Sequence, residues 1–86
     1  AATGFAVVQD VDAVPHVRPN GRDGYRTFLE KTKPRAFALA PNGAWGWANG
    51  GDDPLQRALD NCNRNGKGAC RLYAVDDQMV WKPDAP

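Results

Sequence analysis

The chain predicts an α+β fold: a small antiparallel or mixed sheet in hairpin–helix–hairpin order, covered by two α-helices and closed by one disulfide. Three observations carry that expectation. Arg35 to Gly50, RAFALAPNGAWGWANG, reads as two short strands around a tight turn. Leu55, Ala58, Leu59 and Cys62 fall at i, i+3, i+4 and i+7, the clearest helical stripe in the chain. Ala69 to Val75 then alternates as a strand, and Met79-Val80-Trp81 follows as a short returning one.

The hairpin organises the rest. Proline presets φ at the first central position of a type I turn. In Pro41-Asn42-Gly43 the glycine then accepts the left-handed conformation that closes a three-residue loop. That loop sets Ala40 opposite Ala44, Leu39 opposite Trp45, Ala38 opposite Gly46 and Phe37 opposite Trp47. Period-two alternation then divides two unlike faces. One holds Phe37, Leu39, Trp45 and Trp47; the other holds only Ala36, Ala38, Ala40, Ala44, Gly46 and Ala48. Neither is polar, so both should be covered. Trp45 and Trp47 therefore carry two readings, as core or as part of an exposed recognition patch.

Taken in order, Phe5-Ala6-Val7-Val8 suits an extra edge strand, and the alternation of Asp10 to Val14 predicts a short strand. Residues 1–14 and 82–86 are expected to be loosely ordered within one domain spanning 1–86. Pro15 and Pro19 interrupt the chain, and a helix is expected from Gly21 to Lys31, with Asn20 as its cap and Asp23 in its first turn. Tyr25, Phe28 and Leu29 form its apolar face. Gly24 weakens that helix by about 1 kcal/mol relative to alanine, which implies that something packs close. Lys33-Pro34 ends it. After the hairpin, Asp53, Pro54 and Gln56 supply N-cap, first helical residue and capping-box partner, and Asn65-Gly66 ends the second helix. This helix should lay Leu55, Ala58 and Leu59 on the alanine face, by a right-handed crossover if it joins parallel strands. The first helix then takes the aromatic face. In the last hairpin, Cys70, Leu72 and Ala74 should share one face, and Arg71, Tyr73 and Val75 the other.

Composition narrows function mainly by exclusion. Hydrophobic residues at 42% and charged residues at 24% fit one small globular domain. A net charge of +1, with Lys and Arg scattered, argues against nucleic acid as a partner. Apolar runs are too short for a membrane span, and no signal-peptide pattern is present. Ala1-Ala2-Thr3 reads as a start left by cleavage after small residues, or as a cloning scar. Cys62 near a helix end and Cys70 at a strand start would staple helix to sheet, worth roughly 2–3 kcal/mol. A persistent disulfide points to periplasm or extracellular space. The alternative is two reduced cysteines serving as small hydrophobes.

Chemistry is sparse. The chain has no serine and a single histidine, His16, between prolines. Carboxylates pair as Asp10 with Asp12, Asp52 with Asp53 and Asp76 with Asp77, without calcium-hand spacing. No catalytic residue, metal site or cofactor is assigned. GYRTFL, PRAFALAPNGAWGWA, the helix ending in a cysteine and CRLYAVDDQMVW together resemble small secreted or envelope-associated conserved hypothetical proteins of proteobacteria, Burkholderia-like genera included. The resemblance runs from about Gly24 to Trp81. It implies a compartment and a paired cysteine, and no mechanism. The expected function is a non-enzymatic, extracytoplasmic, monomeric binding module for a protein, a peptide or a cell-wall glycan, and a surface antigen by location. Its contact surface is expected near Trp45, Trp47 and Trp81, with Arg35, Arg71 and Tyr73 as a polar rim. The alternatives are a small metal-dependent hydrolase using Asp76, Asp77 and His16, or a purely structural envelope domain.

Overall fold

A computed structural model describes residues 3–66 and 68–82. The expected start at Ala1-Ala2 and the tail beyond Lys82 lie outside them. Two helices, α1 (Pro19–Leu29) and α2 (Pro54–Gly66), sandwich a four-stranded antiparallel sheet. Its strands are β1 (Arg35–Leu39), β2 (Trp45–Asn49), β3 (Arg71–Val75) and β4 (Gln78–Met79), in spatial order β2-β1-β3-β4.

The first hairpin has the expected register, with Leu39 opposite Trp45, Ala38 opposite Gly46 and Phe37 opposite Trp47. Gly43 sits at φ 92°, in the left-handed region, and the Asn42 side chain accepts from the Ala44 amide at 3.0 Å. The two faces separate as alternation requires. Ala36, Ala38, Ala40 and Ala48 meet Ala58, Cys62 and Cys70 under α2. A Cβ on Gly46 would lie 2.5 Å from the Cys62 nitrogen, so glycine lets the backbone of α2 rest on the sheet. Phe37 and Leu39 join Tyr25 and Phe28 of α1 on the other side. The Cys62–Cys70 disulfide is formed, with Cα atoms 6.1 Å apart, and ties α2 to the start of β3.

Three expectations about faces and elements are corrected. Ala38 pairs with Leu72 but Phe37 pairs with Ala74, so Tyr73 is an extra residue in β3. A bulge of that kind rephases the alternation. Tyr73 and Ala74 thereby both join the aromatic side, and Val75 moves to the alanine side. Leu55 is exposed rather than laid on the sheet, because it stands at the first turn of α2, beyond the alanine face. The last hairpin turns on Asp76-Asp77 alone, with Val75 opposite Gln78, so its final strand is Gln78–Met79 and Trp81 lies past it.

The N-terminal segment forms neither expected strand. Asp10 accepts from the Asp12 amide at 3.2 Å and starts a 3-10 turn over Val11–Ala13. A short acidic side chain bonding its own backbone competes with strand formation. The segment instead straps across the aromatic side, burying Val8, Val14 and Val17. Its start is held by the Thr3 amide on Met79 O at 2.8 Å and the Thr3 hydroxyl on Trp81 O at 2.7 Å. The first helix begins two residues earlier than expected. Proline at its first position needs no partner for a missing N–H, and Arg18 is the N-cap, with no side-chain capping bond. For α2 the expected start holds: the Asp53 carboxylate accepts from the Gln56 amide at 3.2 Å. Gln56 reaches forward to Asp60 rather than back, so the capping box is half made.

Candidate functional site

The residues expected to form one contact surface are split three ways. Trp45 and Trp47 stand two apart on the same face of β2 and remain half-buried beside α1. Trp81, at 2% exposed, is core. Tyr73 is fully buried within the aromatic cluster, 5.4 Å from Tyr25 and 6.1 Å from Trp81 between ring centroids, and Arg35 is only 5% exposed. Neither belongs to a rim.

Arg35 is misplaced in the sequence reading for an instructive reason. Its guanidinium donates to the carbonyls of Phe28 at 3.2 Å and Leu29 at 2.7 Å, in the last turn of α1, and of Lys31 at 3.2 Å, just past it. It lies 4.8 Å over the Phe28 ring and reaches Asp77 Oδ1 at 3.0 Å, while its amide donates to Asp76 Oδ1 at 2.9 Å. One buried fork thus ties α1, β1 and the β3–β4 turn together.

That network also engages the carboxylates of the hydrolase alternative. Asp77 accepts from Lys33 as well as Arg35, and the Lys33 ammonium hydrogen-bonded to it, followed by its charge and that of Arg35, holds its carboxyl below the usual value. His16 packs edge-on against Trp81, with ring centroids 6.0 Å apart. Among the described residues, no three His, Cys, Asp or Glu side chains gather in a way that could hold a metal ion.

The aromatic cluster holds two shifted phenols. Burial, then the neighbouring Tyr73, pushes Tyr25 well above its ordinary value, and its hydroxyl donates to Val8 O at 2.5 Å. Burial, then the charge of Asp10, pushes Tyr73 up to about 12. The Tyr73 hydroxyl has no hydrogen-bond partner among the described residues.

Among the described residues, two concavities stand out. The first, about 350 Å³, lies between the first turn of α1 and the β1–β2 loop and is lined by Arg18, Asn20, Asn42, Gly43, Ala44 and Trp45. Its one large ring is held rigidly. Trp45 stacks on Phe37, with centroids 6.0 Å apart and planes 5° from parallel. A Cβ on Gly24 would overlap the six-membered ring of Trp45, and one on Gly21 would come 3.1 Å from its Cδ1. Gly24, at a cost of about 1 kcal/mol of helix stability, thus seats an indole that stays partly exposed, while Gly21 is held to glycine first by Val17, whose Cβ a Cβ there would meet at 2.6 Å. Further along β2, Lys31 Nζ sits 5.5 Å over the Trp47 ring. The second concavity, about 420 Å³ and mostly apolar, runs between Leu59 and Leu72 on one side and Val80 and Trp81 on the other. Arg71 stands at its rim, 5.2 Å over Trp81.

Trp45 and Trp47 stand out from the sequence alone, whereas Arg18, Asn20 and Asn42 do not. The paired glycines of α1, four residues before and one before Tyr25, were the available signal. Comparison with known protein families, curated proteins and solved structures returned no match.

Proposed function

We propose that this is a non-enzymatic, extracytoplasmic binding module whose contact surface is the seam between α1 and β2, centred on Trp45. The observation that carries the reading is a tryptophan seated against a helix at Gly24 and left partly exposed in a cleft. Local choices that weaken a helix are retained where something else needs them. Had the ring been needed only as core, a deeper position would have served. The candidate partners are an envelope protein, a peptide or a cell-wall glycan. A closed disulfide in so small a chain supports the oxidising compartment. No helix of the described residues is long and apolar enough to cross a membrane.

Indole N–H resonances test this, because the chain has three tryptophans. Soluble cell-wall fragments, acidic and neutral oligosaccharides and a mixed peptide pool would each be titrated into 15N-labelled protein. Shifts at Trp45 and Trp47, with Trp81 unmoved, are expected for at least one probe class. Shifts confined to Asp76, Asp77 and His16 on adding zinc or calcium would return the hydrolase alternative. Silence of all three indoles toward every class would leave a purely structural domain.

A further inference from the structure

We infer that the Arg18–Trp45 cleft, extended along β2 by Trp47 and Lys31, binds an acidic oligosaccharide. The inference rests on the seam being the contact surface, and it names the class of ligand.

The lining chemistry is specific. Three of the six lining residues carry polar side chains, Arg18, Asn20 and Asn42, and the only large apolar group is one flat ring. A pyranose has that same division, with an apolar C–H face and an equatorial belt of hydroxyls that both donate and accept. A rigid indole suits the face, since it offers a large amphipathic surface already fixed in place. Side-chain amides suit the belt, because each carries donors and an acceptor together. The Asn42 amide is oriented by its bond from the Ala44 N–H. A wholly aromatic or aliphatic ligand would set Arg18 and Asn20 against apolar surface, which is unfavourable.

Charge sets the acidic preference. No Asp or Glu lines the cleft, and Arg18 is exposed at its mouth. A guanidinium presents a planar fork that matches a carboxylate with two parallel hydrogen bonds.

Length follows from the strand. Trp45 and Trp47 are separated by two residues on one face, about 7 Å along β2. The cleft is at the small end of ligand sites and suits about one ring. Engaging Trp47 and the Lys31 ammonium over it needs a second sugar, and its carboxylate would meet a second cation.

Calorimetry and tryptophan emission would be followed with trigalacturonate, with a neutral trisaccharide of the same length, and with a triglutamate peptide. Saturable binding of trigalacturonate is expected at least tenfold tighter than the neutral sugar. Arg18→Gln should weaken trigalacturonate at least tenfold and so erase that preference, and Lys31→Gln should weaken the trisaccharide severalfold more than it weakens galacturonic acid. Trp45→Ala should abolish binding; because it could also unfold the chain, the two exposed-charge variants carry the test, with circular dichroism confirming fold. Equal binding of neutral and acidic sugars would overturn the acidic class and leave the seam as contact surface. Tighter binding of triglutamate at the same indoles would overturn the saccharide class and likewise spare the seam. No response of Trp45 to either sugar would overturn the inference, and the seam reading falls with it only if the peptide pool is silent too.

Discussion

Gly24→Ala isolates the relation between helix and indole on which the site depends. In an exposed helix interior this substitution stabilises by about 1 kcal/mol, because alanine has less backbone freedom to lose. Here the new methyl would occupy the space of Trp45 Cζ3, Cη2 and Cε3. The ring cannot tilt away freely, since Phe37 stacks against it with planes 5° from parallel. Forcing a methyl into a packed site costs about 1–3 kcal/mol. Set against the helical gain, the net expectation is a loss of up to about 2 kcal/mol, or up to about 15 °C in melting temperature for a domain of this size. In a Trp45→Ala background the obstruction is gone, and Gly24→Ala should stabilise by about 1 kcal/mol. Urea unfolding of the four proteins gives the coupling directly, expected at about 1–3 kcal/mol. The wild-type ring should also move into solvent in Gly24→Ala, shifting its emission to the red. A stabilised Gly24→Ala single variant would refute the reasoning, since it would mean that Trp45 is not seated on the helix.

Other perturbations probe the frame around the site. Arg35→Met keeps volume but removes the donor to the Phe28, Leu29 and Lys31 carbonyls, so a loss of about 3 kcal/mol is expected by denaturant unfolding, and a loss under about 1 kcal/mol would show that the fork is dispensable. Tyr73→Phe removes a buried hydroxyl that has no partner among the described residues, and should be neutral or stabilise by up to about 1 kcal/mol; a clear loss would mean the hydroxyl is bonded. Both tyrosines titrate above their ordinary value in the fold, so the unfolded chain loses its phenolic protons first. Stability should therefore hold below pH 10 and fall from pH 10 toward 12, by up to about 1.4 kcal/mol per pH unit for each phenol, and tyrosinate absorbance developing near pH 10 in the folded protein would contradict this. Reducing Cys62–Cys70 opens a loop with a separation of 8 residues and should cost roughly 2–3 kcal/mol, read as a melting temperature lowered by roughly 10–20 °C.

The parts of the fold legible in sequence are those fixed by near neighbours. Pro41-Asn42-Gly43 determines a loop length, the loop length determines a register, and the register divides alanines from aromatics. The Leu55-to-Cys62 stripe located α2 for the same reason, although its first member proved exposed. The failures come where a distant group outvotes the local pattern. Alternation in β3 could not reveal that Tyr73 is inserted as a bulge, because the rephasing is visible only against Phe37 and Ala38 of another strand. Asp10 to Val14 alternates as a strand does, yet the Asp10 carboxylate captures the Asp12 amide and curls the chain. Arg35 looked like surface because charge usually is; only the orphan carbonyls ending α1 make burial favourable for it.

The site shows the same division more sharply. Trp45 was singled out by residue type, but whether it is core or contact depends on what stands around it, and Arg18, Asn20 and Asn42 reach it from two separate stretches of chain. What the sequence did hold was an anomaly: glycines at 21 and 24 inside an otherwise ordinary amphipathic helix. Read locally they are only a weakness. Placed against β2, Gly24 becomes the complement of one indole, as Gly46 is the complement of the α2 backbone on the opposite face, while Gly21 lies closest to Val17. The two differ in consequence. Gly46 lets a helix close on the sheet, whereas Gly24 admits a ring that stays partly exposed and lines a polar cleft. A core demands only the first kind of fit, so the second is where selection for something other than folding would leave its mark, and Trp45 is the residue at which to look for it.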